Sequence, residues 1–162
     1  MTNKETTFKM LTEELPQEFN FEDYLKNGNH GLKFKHYWFQ KNEYLLWKNW
    51  KEEEKTDEFK NYRFFSRNFI EHIYPQEDAK IDDEYLHSFG NLVLLSVSQN
   101  SESNYKSVSV KKSMFNEKKD TYDTLKSYCI FKIVENKGWN PKQIEKHRDE
   151  IIDLIRKHYN HA

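Results

Sequence analysis

A carboxylate and an imidazole stand side by side at Glu71-His72, inside the apolar run RNFIEHIY (Arg67 to Tyr74) that Pro75 stops. An asparagine, Asn91, opens the next apolar run, NLVLLSV, directly after Gly90, and a second one, Asn100, stands nine residues further on at the head of SESNYKSVSVKK. Together these residue types can support hydrolysis of a phosphodiester. An imidazole titrates near neutral pH and can take a proton from water. Carboxylate and amide oxygens suit a hard divalent ion such as Mg2+ or Mn2+, which would neutralise charge on the phosphate and the leaving oxygen. Lys106, Lys111 and Lys112, with Lys118 and Lys119, add a local positive bias that can hold phosphates or simply form a solvated helix face. Taken singly, the residues say little: an acid-histidine pair is common, and Asn91 alone reads as a cap on the turn after Gly90. The information lies in their order.

The elements that must position them follow from hydrophobic spacing. Arg67–Tyr74 is a short β-favouring run, and Asn91–Val97 carries apolar residues on both faces, as a strand buried on both sides does. Successive strand residues point to opposite faces, so Glu71 and His72 can serve one site only where the strand bends or ends; Pro75 and the polar stretch QEDAKIDDEYLHS, a loop or short helix, supply that end. Asn100 to Asn116 begins with Ser and Asn, good helix caps, and is expected to be helical. Upstream, Tyr37, Trp38, Leu45, Leu46 and Trp50 recur at helical spacing, which predicts a helix from about Gln40 to Lys55. Two helices are expected to finish the chain. One, Lys118 to Asn136, would bury Tyr122, Leu125, Tyr128 and Cys129, the last as a small core residue. The other is capped by Asn140, starts at Pro141 and buries Ile144, Ile151, Leu154 and Ile155.

The chain has 162 residues, the size of one domain that buries roughly 70% of its unfolded surface. Its 12 Phe, 10 Tyr and 4 Trp argue against disorder, and no apolar stretch is long enough to span a membrane. With 26 Lys+Arg against 27 Asp+Glu the formal net charge is -1, so binding to nucleic acid must be local. The single cysteine excludes an internal disulfide and a multi-cysteine zinc site, and MTNKETTFKM has no signal-peptide core, so a cytoplasmic protein is expected. Four Gly and three Pro are too few for a turn-rich β-sandwich.

A strand ending in acid-His, a strand opening with Asn and a helix opening with Asn resemble, in that order, the ββα-metal (HNH, His-Me) nuclease finger. Over a longer stretch the chain resembles the HNH-like C-terminal domain of the GmrSD-type modification-dependent restriction nucleases. IEHIYPQ, LHSFGNLVLLS, the Asn-rich stretch ending in Lys111-Lys112, the tail from Trp139 through Ile144 to Arg148, and YLLWKNW upstream carry that likeness, from Phe34 to the C-terminus but not over the first thirty residues. The HNH domain of RNA-guided DNA nucleases is similar over residues 71 to 76, 91 and 100.

The resemblance implies an α+β domain, a ββα-metal finger embedded among helices at residues 34–162, behind an N-terminal arm or short helices at 1–33. It also implies a DNA endonuclease of a restriction or phage-defence system. His72 would be the general base, Glu71 and Asn100 ligands of one Mg2+ or Mn2+, and Asn91 the residue that bonds across the loop to hold the His72 segment. His87 would support the site from behind, Asn104, Lys106, Lys111 and Lys112 would meet the nucleic acid, and Trp139 and Arg148 would be structural. In relatives, reading of modified bases and nucleotide-driven regulation belong to an N-terminal domain, expected here to be a separate domain or subunit. The rival reading from another class is an inactive nucleic-acid-binding or interaction module on the same scaffold.

Overall fold

A computed structural model describes residues 19–50, 62, 67, 69–77, 80–96, 106–117 and 124–160. Along the chain these form α1 (Phe21–Lys26), a 3-10 turn (Gly28–Lys33), α2 (His36–Asn49), β1 (Phe69–His72), α3 (Asp83–Leu86), a second 3-10 turn (Phe89–Asn91), β2 (Leu92–Leu95), α4 (Val108–Glu117), α5 (Leu125–Lys137) and α6 (Pro141–Asn160). The architecture is α+β, mainly helical with one small sheet. None of the described helices is long and apolar enough to cross a membrane.

The two strands pair antiparallel, with Phe69 opposite Leu95, Ile70 opposite Leu94, Glu71 opposite Val93 and His72 opposite Leu92. All four residues of β2 are buried, and their alternation divides the core. Leu92 and Leu94 join a cluster with Leu25, Phe34, Trp38, Phe39, Leu45, Phe89 and Ile151, Ile152 and Ile155 of α6. Val93 and Leu95 join a second cluster with Ile73, Ile130, Phe131, Trp139 and Ile144. A strand packed on both faces needs apolar residues at every position, which is why NLVLLSV lacks polar alternation. The register puts Glu71 on the Val93 face and His72 on the Leu92 face.

Several boundaries differ from expectation, each for a local reason. The helix expected from Gln40 begins at His36 and ends at Asn49, and residues 51–55 lie outside the described set. The strands are shorter than the apolar runs: Asn91 belongs to the 3-10 turn before β2, where the Ser88 hydroxyl accepts the Gly90 N–H at 3.2 Å. Of the helix expected to run through residues 100–116, residues 100–105 lie outside the described set, Lys106 and Ser107 precede the helix, and α4 starts at Val108. There the Ser107 side chain accepts the Val110 N–H at 3.4 Å and its carbonyl takes the Lys111 N–H, a serine N-cap. Likewise α5 starts at a Thr124 cap, whose hydroxyl accepts the Ser127 N–H at 3.0 Å, and ends at Gly138, whose positive φ of 70° closes the helix.

The buried face of α5 keeps Leu125 of the expected stripe but otherwise departs from it: Lys126, Ser127, Ile130 and Phe131 point inward with Leu125, Tyr128 and Cys129 are half-buried, and Tyr122 lies outside the described residues. Lys126 goes in because its ammonium finds acceptors. It bonds the Phe89 carbonyl and lies over the Phe89 ring, 3.9 Å from its centre. Glu43 of α2 caps the same helix end from across the core, accepting N–H groups of Leu125 at 2.7 Å and Lys126 at 2.9 Å and the Tyr62 hydroxyl at 2.7 Å. A carboxylate at a helix N-terminus satisfies otherwise orphaned donors and complements the dipole.

The turn before β2 is pressed against α6 at Gly90, where an added Cβ would overlap the Ile144 carbonyl oxygen and lie 3.1 Å from the Arg148 Cβ. Helix backbone cannot yield as a side-chain tip can. Gly90→Ala is therefore expected to lower stability by at least about 2 kcal/mol, read as an earlier urea midpoint at unchanged slope.

Candidate functional site

His72 closes β1 and is buried, 3% exposed. Its Nε2 lies 3.0 Å from Nδ1 of His87, the residue that ends α3, with the two rings edge to face. Burial, then the nearby His87 and Lys111, pushes the His72 imidazole down to about 4, so it is neutral at physiological pH. A neutral imidazole keeps one bare nitrogen, which a proton acceptor requires. His87 is itself seated on the first 3-10 turn, where the position of a Cβ on Gly31 would be 3.4 Å from its Nδ1. The N-terminal residues from Phe19 onward thus pack into the same core, with Leu25 fully buried and Gly31 behind the histidine pair.

Immediately after His72 the chain leaves the strand, and Asn91 holds it there. The Asn91 carbonyl accepts the Ile73 N–H at 2.9 Å, and its side-chain Oδ1 accepts the Tyr74 N–H at 2.8 Å and the Trp139 indole N–H at 2.9 Å. Its Nδ2 donates to the Leu86 carbonyl at 2.9 Å and the Tyr74 carbonyl at 3.3 Å. The fully buried amide thus uses both donors and both acceptor positions. One side chain fastens the segment after His72, the end of α3 and the start of α6.

On the other face of β1, the Glu71 carboxylate meets Lys111 of α4, whose ammonium lies 2.8 Å from Glu71 Oε1 and also bonds the His72 backbone carbonyl. Lys111 is buried, and burial pushes its ammonium down while the Glu71 hydrogen bond and charge hold it up. The strand thus separates the two side chains, and their closest shared neighbour is a cation held by the carboxylate of one and the carbonyl of the other.

The remaining residues expected at the site are more scattered. Asn100 and Asn104 lie outside the described residues. The Lys106 ammonium reaches the Met114 sulfur at 3.5 Å, and Lys112, on the partly exposed side of α4, stands 4.0 Å from Glu135 of α5. Arg67 is buried, with its guanidinium 5.5 Å from the centre of the Tyr62 ring. Arg148 pairs with Asp149 at 2.9 Å and Glu145 at 3.5 Å. Among the described residues no three His, Cys, Asp or Glu side chains converge as a metal cluster. An ion at Glu71 would therefore depend on oxygens such as the His72 carbonyl and an amide, a donor set that fits Mg2+ or Mn2+ rather than zinc.

Sequence reasoning missed two participants. Trp139 reads in sequence as a structural residue, yet its N–H is a partner of Asn91. Behind it His147 of α6 lies edge-on to the Trp139 ring, buried, with no hydrogen-bond partner on its Nε2 among the described residues. A histidine one turn beyond Ile144 on the apolar stripe was the available signal. Burial, then the Lys126 charge, pushes His147 down to about 3. Its unfolded value near 6.5 is higher, so below about pH 6.5 the unfolded chain binds the extra proton and stability falls as pH drops toward 3. His147→Phe keeps the ring contact and removes the titration. Wild type is expected to lose about 2 kcal/mol from this group between pH 8 and pH 5, and the variant's melting temperature should fall correspondingly less over that range.

Fold and site together define a mainly helical α+β domain whose small sheet ends in a clamped, buried histidine beside a carboxylate. Residues 19–154 match the C-terminal domain of the GmrSD restriction endonucleases, and the chain belongs to that family. The matched stretch begins ahead of Phe34, taking in α1 and the turn that backs His87. No curated protein and no solved structure gave a match. The family is one of nucleases, which places the chain among hydrolases of restriction systems.

Proposed function

We propose that the chain is a divalent-metal-dependent DNA endonuclease in which β1, β2 and α4 form a ββα-metal finger of the HNH type. The observation that carries the reading is the neutral histidine at the strand end, held by His87 and by the Asn91 clamp, with the Glu71 carboxylate adjacent in sequence on the opposite face of β1, where Lys111 links it to the His72 carbonyl. His72 acts as general base. When its Nε2–H donates to His87 Nδ1, the basic nitrogen is Nδ1, and His87 thereby selects the tautomer that can accept a proton from water. Asn91 is a positioning residue that fixes the backbone on which His72 stands. Glu71 and Asn100 would hold one Mg2+ or Mn2+, which when bound supplies charge neutralisation at the scissile phosphate. Lys106, Lys112 and Asn104 are proposed to meet backbone phosphates along the DNA; Lys111, expected among them, is instead buried with its ammonium on Glu71 and the His72 carbonyl, which turns it away from an outer phosphate contact. Restriction of phage DNA in the cytoplasm, with recognition supplied by an N-terminal domain or partner, is the setting proposed from the family.

Supercoiled plasmid incubated with the protein and Mg2+, Mn2+ or EDTA tests this. Nicked or linear product with metal and none with EDTA is expected. Intact plasmid, whether modified or unmodified, together with unimpaired DNA binding would instead favour a binding module without chemistry.

A further inference from the structure

Lys111 is an unusual residue to find at a site meant for a metal ion. Its ammonium is buried and rests on two oxygens, the Glu71 carboxylate and the His72 carbonyl, that a hard cation would also use. Burying an ammonium is unfavourable unless it is paired and hydrogen-bonded, and Glu71 supplies both charge and acceptor. The carboxylate is less enclosed, with 13% of its side chain exposed against 4% for Lys111. The two groups neutralise each other across the gap between β1 and α4.

We infer that Lys111 is a built-in competitor of the metal ion, its ammonium occupying Glu71 and the His72 carbonyl until a divalent ion displaces it. This inference rests on the reading of Glu71 as a metal ligand. A divalent ion brought to Glu71 meets a positive charge a few ångströms away, in a buried setting where screening is weak. It binds by exchange, and the affinity of the site is the difference between two cation interactions with the same oxygens. Lys111 sits on α4, so the exchange couples ion binding to the seating of that helix against β1. On the same segment the Lys106 ammonium is directed to the Met114 sulfur and Lys112 is turned toward Glu135. Among the described residues, Lys111 is the cation that the Glu71 carboxylate bonds.

The test is a Mn2+ titration followed by the electron paramagnetic resonance signal of free Mn2+, without DNA, so that the readout is binding and not cleavage. Lys111→Gln and Lys111→Met remove the charge, the first keeping a hydrogen-bond donor, and Lys111→Arg keeps it; folding of each is checked by circular dichroism. Glu71→Gln controls for site identity. Both neutral variants are expected to bind Mn2+ at least about tenfold more tightly than wild type, with the arginine variant close to wild type. In wild type, the side-chain nitrogen resonance of Lys111 should also shift with the midpoint of a Mg2+ titration. Binding that depends on Glu71 but is equal or weaker in the folded neutral variants, or a Lys111 resonance indifferent to Mg2+, overturns the competition while leaving Glu71 a ligand. Binding unchanged by Glu71→Gln overturns both.

Discussion

His72→Ala is expected to reduce metal-dependent DNA cleavage by at least about a hundredfold while leaving metal binding and DNA binding in place. Position and protonation single out His72. His72 ends β1, stands beside the candidate ligand Glu71, and is neutral at working pH because burial and two neighbouring basic groups oppose its charged form. No other described histidine combines these properties: His147 is enclosed behind Trp139, and His158 faces Lys41 at 3.0 Å on the far end of α6. Removing a buried ring also lowers stability, so the measurement is made on protein shown to be folded at the assay temperature. The space left beside His87 is the size of an imidazole, and added imidazole should restore part of the lost rate. A folded variant that cleaves as fast as wild type would remove His72 from the chemistry.

How far this arrangement was legible depended on which physical rule governed each residue. The strand β2 was readable because burial on both faces leaves an unmistakable apolar run, and α6 because Asn140, Pro141 and a long isoleucine stripe all agree; the Asn140 side chain accepts the Gln143 N–H at 3.2 Å. The polar residues that the core has absorbed were not legible. Lys41, Asn42 and Glu43 in α2 and Lys126 in α5 are polar by type and fall outside the apolar residues that define those helices, yet all four are buried. Their burial depends on partners distant in sequence, such as Tyr62 and the N-terminus of α5 for Glu43, and periodicity contains no such information. The same holds for the site. The order Glu71, His72, Asn91 marked where chemistry should lie, but that Lys111 would turn inward onto Glu71, and that Trp139 would bond Asn91, follows only from the packing of α4 and of the segment leading into α6.

The clamp itself carries the second large effect. Asn91→Ala is expected to destabilise the protein by about 3 to 5 kcal/mol, a large part of the roughly 5 to 15 kcal/mol available to a domain of this kind. The substitution strands four groups at once: the Tyr74 and Trp139 N–H donors and the Leu86 and Tyr74 carbonyls. Each buried polar group left without a partner costs about 1 to 3 kcal/mol, and water entering the vacated space recovers some of it. Asn91→Asp separates the clamp's two halves. It keeps the acceptor toward Tyr74 and Trp139 but sets a second oxygen against the Leu86 carbonyl, so the carboxyl is favoured in its protonated, donating form. Its folded pKa is then raised, and the sign follows: the variant is closest to wild type at low pH and loses stability as pH rises through that value. Urea denaturation from pH 4 to pH 8 reads this directly, as a gap from wild type that widens with pH. Both variants should also cleave DNA more slowly than wild type under conditions where they remain folded, because the Tyr74 peptide, which the Asn91 side chain grips at both its N–H and its carbonyl, is no longer held as in wild type, although the backbone bond from Ile73 to the Asn91 carbonyl persists. Folded variants with the wild-type rate would mean that the clamp serves stability alone. A widening gap accompanied by a falling rate would mean that the same four hydrogen bonds hold both the domain and its base.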